Sequence, residues 1–112
     1  MNEKKLYISE LFDYYGALLS EKQKYAVEMY YNDDLSLSEI AESIGITRQG
    51  VRDQLKHAEE YLVECEEKLG FAKKLSCALA LSEEIKTICE KSNEPVAEEI
   101  SKRNSKVIEL LL

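Results

Sequence analysis

Apolar residues recur along the chain at helical spacing, and no stretch alternates with the period of two that marks a half-buried strand. Residues 3 to 19 place Ile8, Leu11, Phe12, Tyr15, Leu18 and Leu19 on one stripe and predict an amphipathic first helix. Ser20 followed by Gln23 is a capping-box pattern, in which side chains satisfy the free backbone N–H groups of a helix start. It opens a second helix through Val27, Tyr30 and Tyr31 that ends near Asn32-Asp33-Asp34. Ser36 and Glu39 repeat the pattern and start a short third helix reaching about Ser43. Thr47 caps a fourth, which runs to Leu69 and is stopped by Gly70. Phe71, Leu75, Ala78, Leu79, Ser82, Ile85 and Ile88 form the stripe of a fifth helix over residues 71 to 91. Pro95, tolerated in a first turn, starts a last helix carrying Val96, Ile100, Val107, Ile108 and Leu111. The expected fold is all-α.

Residues 36 to 57 fit a helix-turn-helix, in which two short helices cross closely over a tight turn. The crossing needs a small residue, and Ala41 supplies it. The turn needs a residue that accepts positive φ, and Gly45 stands four positions later. Ile40, Ile44, Ile46, Val51 and Leu55 form the buried seam. On the fourth helix Arg48, Arg52 and Lys56 are spaced by four and share one stripe facing solvent. Thr47 and Gln49 lie at its N-terminal end, where recognition helices meet bases. Arginine pairs with guanine edges and glutamine with adenine. The expected nucleic-acid contacts are therefore Thr47, Arg48, Gln49, Arg52 and Lys56; a solvated helix face is the alternative. Gly50 costs roughly 1 kcal/mol of helix propensity relative to alanine. It is either tolerated there or leaves room for another backbone or a phosphate.

Charge complicates this picture. The formal net charge is -7, but it is unevenly distributed. Residues 1 to 35 carry -3, residues 36 to 57 are neutral, residues 58 to 70 carry -4, and the remainder is neutral. The fourth helix begins basic and continues through Glu59, Glu60, Glu64, Glu66 and Glu67. Non-specific affinity for a polyanion scales with the phosphates neutralised, so one chain offers a small cationic footprint.

Composition excludes several classes. Apolar residues are 45% of the 112 and only one proline interrupts them, which favours a folded chain over a disordered one. No apolar run approaches the roughly 20 residues of a membrane span, and MNEKKLYISE lacks a signal-peptide core, so a cytoplasmic location is expected. Cys65, Cys77 and Cys89 form no CxxC and read as free buried thiols, with no zinc or redox site. There is no phosphate-cradling glycine loop and no Ser/His or Cys/His pairing. His57, the single histidine, reads as a surface residue. No catalytic residue, metal or cofactor is expected.

Residues 19 to 62 resemble region 4 of bacterial sigma factors, through Leu19-Ser20-Glu21-Lys22-Gln23, Tyr30-Tyr31 and Ser38-Glu39-Ile40-Ala41. They depart from it where His57-Ala58-Glu59-Glu60-Tyr61 replaces the usual arginines and lysines. The chain looks closer to the YlxM-like family of small helix-turn-helix proteins encoded beside signal-recognition-particle (SRP) GTPase genes. The carrying segments are Leu11-Phe12-Asp13-Tyr14-Tyr15-Gly16-Ala17-Leu18-Leu19-Ser20, Gln23, Tyr30-Tyr31-Asn32-Asp33-Asp34-Leu35-Ser36, Glu39-Ile40-Ala41 and Thr47-Arg48-Gln49-Gly50-Val51. They cover about the first 70 residues; the last 40 match only in length and helical character. The resemblance implies a non-enzymatic regulator of the SRP pathway that contacts the particle's RNA or its GTPase. A DNA-binding transcriptional regulator and a protein-contact module on the same fold are the alternatives.

Two parts are expected: a helix-turn-helix domain over 1-70, with a long recognition helix, and a C-terminal helical hairpin over 71-112. The terminus Val107-Ile108-Glu109-Leu110-Leu111-Leu112 is unusually apolar, and Cys77, Leu79 and Leu81 flank the main stripe of the fifth helix. That excess predicts a homodimer through residues 71 to 112. The alternative is that these helices pack over Leu6, Phe12 and Tyr15 in a monomeric core.

Overall fold

The computed structural model describes residues 2–112, and the described residues contain helices and turns but no strand. Helix α1 is Glu3–Tyr15, α2 Glu21–Val27, α3 Leu37–Ile44, α4 Arg48–Leu69, α5 Phe71–Glu90 and α6 Pro95–Leu111. The chain gathers into two compact units, Met1–Ala72 and Lys73–Leu112.

In the first unit α4 is the spine. Its Val51, Leu55, Ala58, Leu62 and Cys65 are buried at helical spacing, and α1, α2 and α3 all pack on it. From α1 come Ile8, Leu11, Phe12 and Tyr15, and from the segment after it Ala26, Val27 and Tyr31. The first helix is shorter than its apolar pattern suggests. It stops at Tyr15, and Gly16–Leu18 form a tight 3-10 turn. Leu18 is thereby turned out to solvent, whereas Leu19 is buried. At Gly16 a Cβ would lie 2.7 Å from the Phe12 ring, so the ring occupies the space that a side chain would need there. After α2 the backbone widens into a π-turn over Glu28–Asn32, which carries Tyr31 inward. Its ring meets that of Tyr30 edge-on at 5.0 Å.

Two buried tyrosines find partners on α4. Tyr15 donates its hydroxyl proton to Glu66 (2.5 Å) and accepts from the Phe71 N–H at 3.1 Å. Glu66 also accepts from the Ala72 N–H at 3.0 Å. The first turn of α5 is thus capped by groups from α1 and α4, across the left-handed Gly70 (φ 59°) that ends α4. Tyr31 donates to Glu59.

In the second unit α6 runs back along α5. Asn104 Nδ2 donates to the Ser82 carbonyl at 2.8 Å, and the two residues are equidistant in sequence from Asn93 in the turn. Leu75 and Ser82 of α5 are buried, as are Ala97 and Asn104 of α6. This corrects the stripes read from the sequence. Phe71, Ile85, Ile88, Val96, Ile100 and Val107 are all exposed. Phe71 does rest edge-on against Tyr14, with ring centroids 6.1 Å apart. The thiols also differ from expectation. All three are free, but only Cys65 is buried, while Cys77 is exposed and Cys89 half-buried.

Burial raises the Tyr15 hydroxyl above its ordinary 10.0, and the bond to Glu66 raises it further. A group whose folded value is raised contributes stability that is complete below its unfolded value and is lost as pH rises through the folded one. Tyr15→Phe should cost roughly 1–3 kcal/mol at neutral pH, since it strands partners on two elements. Urea melts at about pH 8 and about pH 11 should show the wild-type advantage shrinking at the higher pH. Equal stability at pH 8 would contradict the paired role.

Candidate nucleic-acid interface

The geometry of residues 36 to 57 is set by three local devices. At the start of α3, Ser36 Oγ accepts from the Glu39 N–H and the Glu39 carboxylate accepts from the Ser36 N–H, both at 3.1 Å. The backbone bond from Ser36, and then its hydroxyl, hold the Glu39 carboxyl below the usual carboxylate range. At the turn, Gly45 takes φ 73° in the left-handed region. Its N–H and that of Ile46 both reach the Ala41 carbonyl, at 3.0 and 3.1 Å, so α3 closes in a single residue. Ile40 and Ala41 are buried beneath it.

At the start of α4, Thr47 Oγ1 accepts from the Gly50 N–H at 3.0 Å. The glycine at position 50 has its explanation here. A Cβ on it would stand 3.2 Å from Thr47 Oγ1 and 3.4 Å from Ile46 Cδ1. The close neighbours are the helix's own cap and the turn, not another backbone. With Ile46 half-buried and Val51 fully buried, the rotation of α4 is fixed from its first turn.

That rotation leaves Thr47, Arg48, Gln49, Arg52 and Lys56 exposed. Arg48, Arg52 and Lys56 follow one another at successive turns. Among the described residues none of the three forms an ion pair. Asp53 is turned away to Gln49, whose amide nitrogen donates to it at 3.1 Å. Three cations are therefore presented without neutralisation, one turn apart, at the capped end of a helix. His57 is exposed.

Beyond Lys56 the same face changes sign, with Glu60 and Glu64 at the next two turns. Glu64 is held below its ordinary range by Lys68, 2.8 Å away. An open groove of about 470 Å³ between α1 and this half of α4 is lined by Glu59, Glu60, Glu64 and Glu67 around Ile8 and Val63, with Lys4 and Lys56 also on its walls. Carboxylates outnumber cations there four to two. Two members of this acidic block, Glu59 and Glu66, accept bonds from Tyr31 and Tyr15. The available signal was a tyrosine on each buried stripe, since a buried phenol needs a partner.

The fold and this arrangement define an all-helical helix-turn-helix protein. Residues 2–103 match the sequence model of the UPF0122 family, described as "Putative helix-turn-helix protein, YlxM / p13 like", and the chain belongs to that family. A UPF0122 protein of Desulforamulus reducens is 55% identical over 69 residues, covering 62% of this chain and 59% of that protein. One from Caldanaerobacter subterraneus subsp. tengcongensis is 49% identical over 86 residues, covering 77% and 74%. One from Listeria welshimeri is 44% identical over 93 residues, covering 83% and 84%. The chain thus spans less than two thirds of the first of these relatives and more of the others.

Gly45→Val should destabilise the protein by roughly 1–3 kcal/mol, because a β-branched residue resists positive φ whatever the free space. No atom beyond the adjoining residues lies within 4 Å of a Cβ placed there, so strain alone is tested. Gly45→Asn, which tolerates that region, should lose less. Thermal melts of the two variants, with Thr47→Ala as a capping control costing roughly 1 kcal/mol, check the ranking. A valine variant as stable as the asparagine one would contradict the turn.

Proposed function

We propose that this protein is a non-enzymatic, cytoplasmic regulator that binds nucleic acid through the N-terminal half of α4 and acts in the signal recognition particle pathway. The observation that carries the reading is the stripe Arg48, Arg52 and Lys56, exposed and without carboxylate partners. Thr47 and Gln49 at the helix start supply the groups suited to base edges. The link to the SRP pathway rests on the YlxM-like resemblance, which implies the particle's RNA or its GTPase as partner.

The acidic second half of α4 restricts the footprint to one end of the helix. A homodimer through residues 71 to 112 doubles it, as two-fold helix-turn-helix proteins do. A recognition helix fits the major groove of B-DNA but not the narrow one of A-form RNA. An RNA target therefore needs a loop or bulge. The isolated, well-capped start of α4 favours a second reading, a DNA-binding transcriptional regulator.

Gel-shift titrations with SRP RNA and with duplex DNA distinguish these readings. Three phosphate contacts per chain give a log–log salt slope of about -2.7 on duplex DNA. Arg48→Ala with Arg52→Ala should weaken binding strongly and uniformly, while circular dichroism stays unchanged because both side chains are exposed. Undiminished binding by the double variant would remove α4 from the mechanism. No binding of either nucleic acid by the wild type would leave the fold to protein contacts.

A further inference from the structure

The two-helix unit formed by α5 and α6 is amphipathic in an unexpected sense. Its internal seam repeats every seven residues, with Leu75, Ser82 and Cys89 on α5 and Ala97, Asn104 and Leu111 on α6. Ser82 and Asn104 are only 5% and 7% exposed and are joined through the Asn104 amide. In a helix, the position before a seam residue and the position three after it lie on the same side of the seam, about 100° and 60° away. Because the helices are antiparallel, these flanks of α5 and α6 fall on one face of the hairpin. They carry Leu81, Ile85 and Ile88, then Val96, Ile100, Val107 and Leu110, with Lys74 and Arg103 the charged residues among them. All are exposed: Leu81 by 60%, Ile88 by 67%, Val96 by 57%. The position after each seam residue faces the opposite way and holds Ser76, Glu83, Glu90, Glu98 and Ser105, with Leu112 just past the last helical residue. One face is largely apolar and the other largely polar.

We infer that this apolar face is the self-association surface, on which a second copy packs to form an antiparallel four-helix bundle. The inference rests on the homodimer in the proposed function and assigns it a surface and an orientation. Charge selects the occupant. Glu99 and Lys106 lie two turns apart along the outer edge of the face on α6, both two positions past a seam residue. A second α6 crossing antiparallel near Lys102-Arg103 sets Glu99 of each copy against Lys106 of the other. The edge is thus self-complementary, as an isologous two-fold interface requires. Arg103 lies within the face, but its guanidinium is drawn to the edge by Glu99 at 3.0 Å.

Sedimentation equilibrium of the full chain at micromolar concentration tests the assignment. The wild type should be a dimer. Ile100→Glu should raise its dissociation constant by at least about thirtyfold, as loss of a central anchor does. Ser105→Glu, on the polar face, should leave it unchanged. Circular dichroism should match the wild type for both, since Ile100 and Ser105 are exposed. Lys106→Glu should weaken the dimer, and adding Glu99→Lys to it should restore the association. A wild-type dimer indifferent to Ile100→Glu would overturn the face while leaving the homodimer standing. Failure of the double charge exchange to restore association would overturn the antiparallel crossing. A wild-type monomer would overturn both the homodimer and the face, since some other partner must then cover it. Nucleic-acid binding through Arg48 and Arg52 is read separately by gel shift under any of these outcomes.

Discussion

The first 72 residues depend on one buried stripe. Val51, Leu55, Ala58, Leu62 and Cys65 of α4 are the surface on which α1, α2 and α3 all close. Burying a valine or leucine side chain contributes roughly 1.5–3 kcal/mol, so Val51, Leu55 and Leu62 together outweigh any single cap, worth roughly 1 kcal/mol. The stripe also fixes which way the helix faces. A slip of one residue would rotate α4 by about 100° and drive Arg52 toward the core. Packing and presentation are therefore one constraint. The cations are outward because the apolar residues are inward, and the turn at Gly45 sets where the exposed end begins.

That same helix reconciles an acidic chain with a cationic end. Arg48 and Glu64 are separated by sixteen residues, about 24 Å of helix at 1.5 Å per residue. At physiological ionic strength charges are screened over about 8 Å, so the far glutamates scarcely reduce the field at Arg48. Lys56, one turn from Glu59 and Glu60, feels them most. On the proposed nucleic-acid reading, each cation's contribution should accordingly fall along the stripe from Arg48 to Lys56. Part of the acidic block is also structural. The carboxylates of Glu59 and Glu66 receive the hydroxyls of Tyr31 and Tyr15. Without them, phenols on two buried stripes would be left unsatisfied, at a cost of roughly 1–3 kcal/mol each.

Local chemistry made much of this legible. Ser20, Ser36 and Thr47 mark helix starts because a side-chain oxygen there satisfies a nearby N–H, a relation that spans only three residues. Gly45 and Gly70 mark stops because their conformation is a property of one residue. What was not legible depends on residues distant in sequence. The Phe12 ring fills the space beside Gly16 after the end of α1 at Tyr15, a contact that the periodicity through Leu19 does not register. The Tyr15–Glu66 bond joins residues 51 apart. The exposed stripe Arg48, Arg52 and Lys56 could be read from spacing. Its freedom from ion pairs could not, because Asp53, one residue from Arg52, is turned toward Gln49.

The C-terminal hairpin shows where apolar periodicity misleads. The pattern through Ile85, Ile88, Val96, Ile100 and Val107 is a true helical stripe, but periodicity reports that a face is apolar without saying what covers it. The buried Asn104 amide fixes the register of α5 and α6 through one hydrogen bond, to the Ser82 carbonyl. Such a seam removes little apolar surface from water. Helices without apolar burial draw little stability from propensity alone, since nucleation is costly and isolated helices are marginal. Ordering the 20 residues of α5 and the 17 of α6 therefore calls for more burial than the seam supplies. The uncovered apolar face is where that stabilisation is available. Polar residues set the register of this unit, and the large apolar residues are left at its surface.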